Sequence, residues 1–390
     1  MIITAVRSTK VFFSCSGVGI LDRGIETFFR EAFDGLRNTD GLDITLFKGA
    51  GEESAHEKVL WNVPRTGSLA PFLGKFIRRN GYVVEQLSTF PFMVKAIRKH
   101  RPDIIFYSDS NLGFQLFRWR KQIGVPFRLL FSNGGPCHAP FDRTDFVHQV
   151  APFYLEEALA AGEPPQRHRM VPYGIRVPDG PPDTDDSRRA TLRRRLNLPV
   201  EGKIVISVGW ISKQLKRMDF VVNEVAQLPQ PRPHLLLVGA MDDQSHAIIS
   251  LAREKLGEHG FTARSVQYKE VATYYRTADV FTLASLQEGF GRVFLEALIH
   301  GLPIIAHNHP VMRFVLGGEG ILVDLSKPGV LACQLVDVLA AGNEPEVAAR
   351  RRQSVRARFS WPILAPQYRD MFYDCARIPL RDPSGKKRAC

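Results

Sequence analysis

Twice along this chain, short β-favouring apolar runs alternate with stretches of helical period, and few folds accept that pattern. In the first series residues 10–15, 42–47, 103–106 and 127–131 read as buried strands. The second series has such runs at 204–208, 235–238, 278–283, 304–306 and 320–323. Between them, Ile25, Phe28, Phe29, Ala32, Phe33 and Leu36 recur at helical spacing, as do Val293, Phe294, Ala297 and Leu298. Strands joined through helices lie parallel, so each series implies a doubly wound sheet that receives ligands at the carboxyl ends of its strands. At 390 residues the chain exceeds the size at which one core stops growing. The expected fold class is α/β, with two Rossmann-like doubly wound domains facing each other across a cleft. Residues 171–186, rich in proline and acid, read as the connection between a domain over 1–170 and a second over 171–360. No strand leads into the Asp-x-Asp of that connection, so it reads as solvated linker instead of a metal site.

The most informative stretch is 285–303, S-L-Q-E-G-F-G-R-V-F-L-E-A-L-I-H-G-L-P. An apolar strand precedes it, Gly289-Phe290-Gly291 gives a tight turn, and a helix follows with Gly301 and Pro303 at its end. Glu288 then stands at the strand's carboxyl end and Glu296 two turns down the helix, roughly 12 Å away at the helical rise. First-turn amides at Phe290, Gly291 and Arg292 would face outward at the positive end of the helix dipole, a seat for phosphate oxygens. A nucleotide-sugar needs that layout: a hydroxyl acceptor at the sugar, N–H groups at the phosphates and a carboxylate for ribose. The same pattern also describes an ordinary strand-turn-helix unit with two solvated glutamates.

Bulk properties narrow the partners. The chain is 44% hydrophobic and 24% charged, as soluble globular proteins are. It has no apolar run of about 18 residues and no signal-like N-terminal core, so the expected location is cytoplasmic. Five scattered cysteines in no C-x-x-C pair suggest neither zinc nor a disulfide framework, and buried free thiols are expected. A net charge of +12 and a pI near 9.6 imply attraction to something acidic: nucleic acid, anionic lipid or a phosphorylated small molecule.

Other segments add candidates. Ser16-Gly17-Val18-Gly19 and Gly24 sit between the first strand and its helix, where open sheets bind phosphate. Residues 71–101 interleave Phe72, Leu73, Phe76, Phe90 and Phe92 with seven basic side chains against one acid, Glu85. They read either as two amphipathic helices covering a sheet or as a face for the cytoplasmic side of an anionic membrane. Ser110, Asn133, Gly134 and His138 lie at polar strand ends of the first series. In the second, Gly209 ends a strand, and Lys213, Lys216 and Arg217 precede a helix, placed to neutralise a departing diphosphate.

In this order the motifs resemble the family 4 retaining glycosyltransferases of GT-B architecture. Gly24-Ile25-Glu26 ends the glycine loop, and Val171-Pro172-Tyr173-Gly174-Ile175 is similar to the hinge-side "pnGv". Val208-Gly209 with Lys216-Arg217 resembles the diphosphate-binding "vG…K". Glu288-Gly289-Phe290-Gly291 with Glu296-Ala297 and Gly301-Leu302-Pro303 complete the set. The resemblance implies that Glu288 and the amides of Phe290 and Gly291 hold the donor sugar and phosphates, Glu296 binds ribose, and Lys216 stabilises the leaving diphosphate. Gly24, Gly209, Lys213, Gly289, Arg292 and Arg217 would join the donor set, with Val266 at the base. It also implies a last helix, about 361–378, crossing back to the first domain before a basic tail at 379–390. Trp210 stands where the family has arginine, so Lys213 or Arg217 would supply the second cation. Asn133 ends a strand that in the family often ends in histidine, and His138 is the candidate substitute.

The expected function is retaining transfer of a sugar from a nucleoside-diphosphate sugar, UDP or GDP, to a hydroxyl of a glycan, glycolipid or small-molecule glycoside. The catalytic set is Glu288, Lys216 and His138, with no metal and no cofactor. Gly19, Ser110, Asn133 and Gly134 are the acceptor-side candidates. The alternatives are a DNA-glucosylating or nucleic-acid-binding protein, although no compact nucleic-acid motif occurs, and a non-catalytic nucleotide-sugar binder.

Overall fold

A computed structural model describes residues 7–135 and 137–383. The basic tail expected over 379–390 lies outside the described residues from 384 onward, and Cys390 with it.

The chain divides into two units, one running to Arg176 and resuming at Phe359, the other spanning Val177–Arg358. The first contains β1 (Thr9–Cys15), α1 (Gly24–Leu36), β2 (Leu42–Lys48), β3 (Glu57–Val59), α2 (Leu69–Ile77), α3 (Gly81–Ser88) and α4 (Phe90–His100). It continues with β4 (Ile104–Tyr107), α5 (Ser110–Arg118), α6 (Arg120–Ile123), β5 (Arg128–Asn133), β6 (Phe146–Gln149), α7 (Pro152–Ala160) and β7 (His168–Met170). The second contains α8 (Asp186–Arg195), β8 (Ile204–Val208), α9 (Met218–Ala226), β9 (His234–Val238), α10 (Ser245–Leu256), β10 (Phe261–Arg264) and α11 (Tyr268–Tyr275). After these come β11 (Val280–Leu283), α12 (Arg292–Ile299), β12 (Ile304–His307), α13 (Pro310–Leu316), β13 (Ile321–Val323), α14 (Val330–Ala341) and α15 (Pro345–Phe359). The last helix, α16 (Trp361–Arg377), belongs to the first unit.

Both sheets are parallel throughout, with orders β3-β2-β1-β4-β5-β6-β7 and β10-β9-β8-β11-β12-β13. The strand order reverses once in each, between β1 and β4 and between β8 and β11. That reversal splays successive loops apart above the strand ends and opens a crevice. The central strands are buried on both faces, which is why β1, β8 and β9 read as continuous apolar runs without alternation.

In the first unit, α1 and α16 cover one face of the sheet. Phe13, Phe28, Phe29, Phe106, Tyr368 and Phe372 form its core, and Phe28 stacks on Tyr173 with ring centroids 3.7 Å apart. Trp361 closes it against two glycines: a Cβ on Gly35 or Gly174 would come within 2.5 or 2.8 Å of the indole. The opposite face packs Phe12, Met93, Ile97, Leu112 and Leu116.

Three details differ from the sequence reading. Residues 69–100 form three helices, α2 to α4, instead of two, because Asn80 caps a separate helix by accepting from the Val83 amide. The connection is not all solvated linker. Arg352 donates to the carbonyls of Gly180 and Pro181, Asp183 binds Arg276 at 2.6 Å, and Asp185 caps α8. Of the free thiols, Cys15 and Cys375 are buried whereas Cys137 and Cys333 are exposed.

Candidate functional site

In the second unit the loops after β8 and β11 meet above the point where the strand order reverses. Gly209 leaves β8 at φ 152°, and Gly239, also at 152°, lies so close beneath it that a Cβ there would sit 1.8 Å from the Gly209 carbonyl. The tight crossing of these two backbones turns the 209–217 loop over the sheet. Lys216 reaches from that loop to Glu288, Nζ to Oε1 at 2.5 Å. A lysine after one strand and a glutamate after another, distant in sequence, therefore share one spot.

Gly291, at φ 80°, is the N-cap of α12, and a Cβ there would come within 2.8 Å of Met312. Phe290 and Arg292 flank it, both buried, and Gly289 is half-buried beside Glu288. The glycine cap brings the chain from Glu288 into the first turn of α12 with its backbone against the protein body. About one turn into the helix, closer to its start than the two turns expected, Glu296 accepts from two tyrosines, Tyr268 at 3.2 Å and Tyr275 at 3.1 Å. Burial, and then the nearby Glu296 carboxylate, push the Tyr275 hydroxyl well above its ordinary pKa. It therefore stays a donor, and Glu296 is fixed in place. Sequence reading missed both tyrosines, although Tyr268 lies two residues beyond Val266, itself half-buried in the loop before α11. That spacing brings the Val266 loop beside Glu296.

Lys213 is exposed on the 209–217 loop. Arg217 starts α9 at φ 48° and donates to the carbonyls of Ala284 and Leu325, with its guanidinium over Phe220. The guanidinium thereby ties the β11 loop to the β13 loop.

The remaining candidates lie in the first unit. Gly24 opens α1, and Gly19, at φ 83°, passes so near the Ala50 carbonyl that a Cβ would be 2.2 Å from it. Asn133 is engaged on both sides of its amide: Nδ2 donates to Gln149 and the Cys137 carbonyl, and Oδ1 accepts from the Cys137 amide. Gly134 abuts the Tyr173 hydroxyl, 1.7 Å from where a Cβ would stand. Ser110 and His138 share the lining of a cavity of about 480 Å³ with Tyr107, Phe114, Phe131 and Arg143. His138 is exposed, its Nδ1 3.7 Å from Glu157.

Sequence reasoning missed a polar cluster at the reversal point of the first sheet. The Ser16 amide, after β1, donates to Asp109 at 2.7 Å, after β4, and the Ser16 hydroxyl donates to Glu85 at 3.0 Å. Arg65 grips Glu85 through its amide, Nε and Nη2. Burial works to raise the Glu85 pKa, but the bonds from Arg65 hold it below the usual range. Burial pushes Asp109 up to about 6. Glu26, also buried, takes Arg23 on Oε1, while its Oε2, Asn62 Oδ1 and Arg65 Nη1 are buried without partners. No spacing in sequence joins residues 26, 62, 65, 85 and 109; the sheet order does.

The two doubly wound units define the GT-B class of fold. Sucrose-phosphate synthase from Thermosynechococcus elongatus superposes with a TM-score of 0.72 at 22% identity, over 94% of this chain and 100% of that one. HepE of Anabaena, in complex with UDP and glucose, superposes with a TM-score of 0.69 at 17% identity, over 94% and 100%. Residues 202–341 match the family model described as glycosyl transferases group 1. A D-inositol 3-phosphate glycosyltransferase of Xylanimonas cellulosilytica is 30% identical over 229 residues, 55% of this chain and 53% of that protein. The chain spans about half the length of the curated relatives it matches.

Proposed function

We propose that this protein transfers a sugar from a nucleoside-diphosphate sugar, UDP or GDP, to an acceptor hydroxyl with retention of configuration and without a metal. The observation that carries the reading is the Lys216–Glu288 pair above the reversal point of the second sheet, beside a glycine-capped helix that holds Glu296. With donor bound, Lys216 turns from Glu288 to the diphosphate, and Glu288 is released to accept from the sugar's hydroxyls. Ribose hydroxyls donate to Glu296, whose orientation Tyr268 and Tyr275 set. As the bond between the anomeric carbon and the phosphate oxygen breaks, its electron pair goes to the diphosphate, where Lys216 and the first-turn amides of α12 meet the new charge. The acceptor oxygen bonds to the anomeric carbon on the same face, and its proton passes to the leaving phosphate.

The acceptor is a polyhydroxylated molecule, carbohydrate, glycolipid or cyclitol. The matched relatives are named for an inositol phosphate. In the first unit, the unpartnered oxygens of Glu26 and Asn62 suit hydroxyl donors, and the 480 Å³ cavity with Ser110 and His138 offers aromatic walls for a sugar ring.

Calorimetry with UDP, GDP and ADP in EDTA tests the reading. One nucleotide is expected to bind, Glu296→Ala to weaken it, and Glu288→Ala to spare nucleotide binding while abolishing transfer. Binding of none of the three, or binding only on adding a divalent cation, overturns the proposal.

A further inference from the structure

Helix α2 is turned with its apolar side outward. Leu69, Phe72, Leu73 and Phe76 stand at i, i+3, i+4 and i+7, the stripe an amphipathic helix normally buries, yet they are 52%, 56%, 36% and 74% exposed. What faces inward is small. Ala70 is fully buried, and Gly74 passes the Arg79 carbonyl at a distance that a Cβ would reduce to 2.3 Å. The ring centroids of Phe72 and Phe76 lie 5.2 Å apart, and a second exposed pair, Trp61 and Phe92, lies 5.5 Å apart. Lys75, Arg78 and Arg79 are exposed at the end of the stripe. The one acid between residues 58 and 102, Glu85, is 0% exposed and tied to Arg65. The face is thus apolar and cationic, with no surface carboxylate from this segment to oppose an anion.

We propose that α2 docks on an anionic lipid bilayer, with Leu69, Phe72, Leu73 and Phe76 entering the headgroup boundary and Lys75, Arg78 and Arg79 reading lipid phosphates. Charge selects this occupant. A second copy meeting the face symmetrically would set these cations against their own copies. Nucleic acid would leave Leu69 and Leu73 without a partner. A bilayer surface satisfies both halves of the helix. Among the described residues no helix is long and apolar enough to cross a membrane, so the contact is one of surface docking. The inference stands independently of glycosyl transfer.

The test is co-sedimentation of the full chain with vesicles of phosphatidylcholine alone and with about a quarter phosphatidylglycerol, at low and moderate salt. Binding to the mixed vesicles is expected to be at least about tenfold tighter, and to weaken with salt. The double variant Phe72→Ser, Phe76→Ser is expected to lose about tenfold or more on mixed vesicles, and Lys75→Glu, Arg79→Glu to lose the preference for them. All four side chains are exposed, so thermal midpoints stay at the wild-type value, which separates lost docking from misfolding. Four results overturn the proposal: no pelleting with either vesicle, equal pelleting with both, a serine variant that binds like wild type, or a dimer in light scattering that the serine variant dissolves.

Discussion

Each unit bridges the loops above its reversal point with a polar contact, and the two bridges differ in what they leave open. In the first, Ser16 after β1 binds Asp109 after β4, and both are buried, with Arg65 and Glu85 locked alongside. In the second, Lys216 after β8 binds Glu288 after β11, and these side chains keep 23% and 10% exposure. A buried bridge has nothing to exchange with and serves to hold loops. A partly open ion pair can trade its partner for a ligand's charge, because an incoming phosphate replaces the counter-charge that Lys216 gives up. One strand order thus supports both a fixed frame and a responsive site.

Cutting each bridge should give opposite phenotypes, and this is the largest effect expected. Arg65→Ala strips the buried Glu85 of its counter-charge and is expected to cost about 3–5 kcal/mol in denaturant unfolding. Lys216→Ala is expected to lower turnover about 100- to 1000-fold, as removal of a group facing transition-state charge does, with little change in unfolding midpoint. Should Lys216→Ala unfold the protein as readily as Arg65→Ala, or leave turnover intact, the contrast between frame and site fails.

A smaller effect separates the bridges by pH. Asp109 titrates at about 6 in the folded chain, against about 3.9 when unfolded. The raised value means that the protonated acid is the form the fold prefers. Its contribution is fully present below pH about 4 and is lost as pH climbs through 6, by about 1.4 kcal/mol per unit within that window. Glu85, lowered by Arg65, runs the other way, so the comparison that isolates Asp109 is with Asp109→Asn. The wild-type stability lead over that variant should shrink between pH 4 and 6. Parallel curves would show that Asp109 stays ionised throughout.

Much of the fold was legible because parallel strands covered on both faces are written as unbroken apolar runs: β1, β8, β9 and β11 could be read directly. β6 could not, since it contains His148 and Gln149. Both are fully buried, with His148 held by Ser132 and the Val171 carbonyl and pushed down to about 4 by burial, so it is neutral. Polar residues inside a sheet carry no local sign of the partners that satisfy them. Glu288 and Glu296 stood out because one strand-turn-helix contains both. The Arg65–Glu85–Asp109 cluster did not, because it is gathered from separate elements, and Glu85 read as the lone acid of a basic surface when it is the buried anchor of α3. The outward turn of α2 was one of the two readings the sequence left open, for a helical stripe does not say which side of it the sheet lies on.

The finest distinction lies in the hydroxyls that hold each carboxylate. The Tyr275 hydroxyl, buried and held protonated, donates to Glu296 Oε2 at 3.1 Å and lies 3.2 Å from the Val293 carbonyl. The Ser16 hydroxyl donates to Glu85 at 3.0 Å in the same manner. Tyr275→Phe and Ser16→Ala each delete one such bond and leave the carboxylate with other donors, so each is expected to cost about 1 kcal/mol of stability. Only the tyrosine should also alter ligand handling. If Glu296 binds the donor ribose as proposed, freeing it on one side would let it adopt more orientations, and the donor KM is expected to rise a few-fold at unchanged kcat. Ser16→Ala should leave the donor KM where it was. Equal shifts in both variants would mean that Glu296, like Glu85, is part of the frame and does not touch the donor.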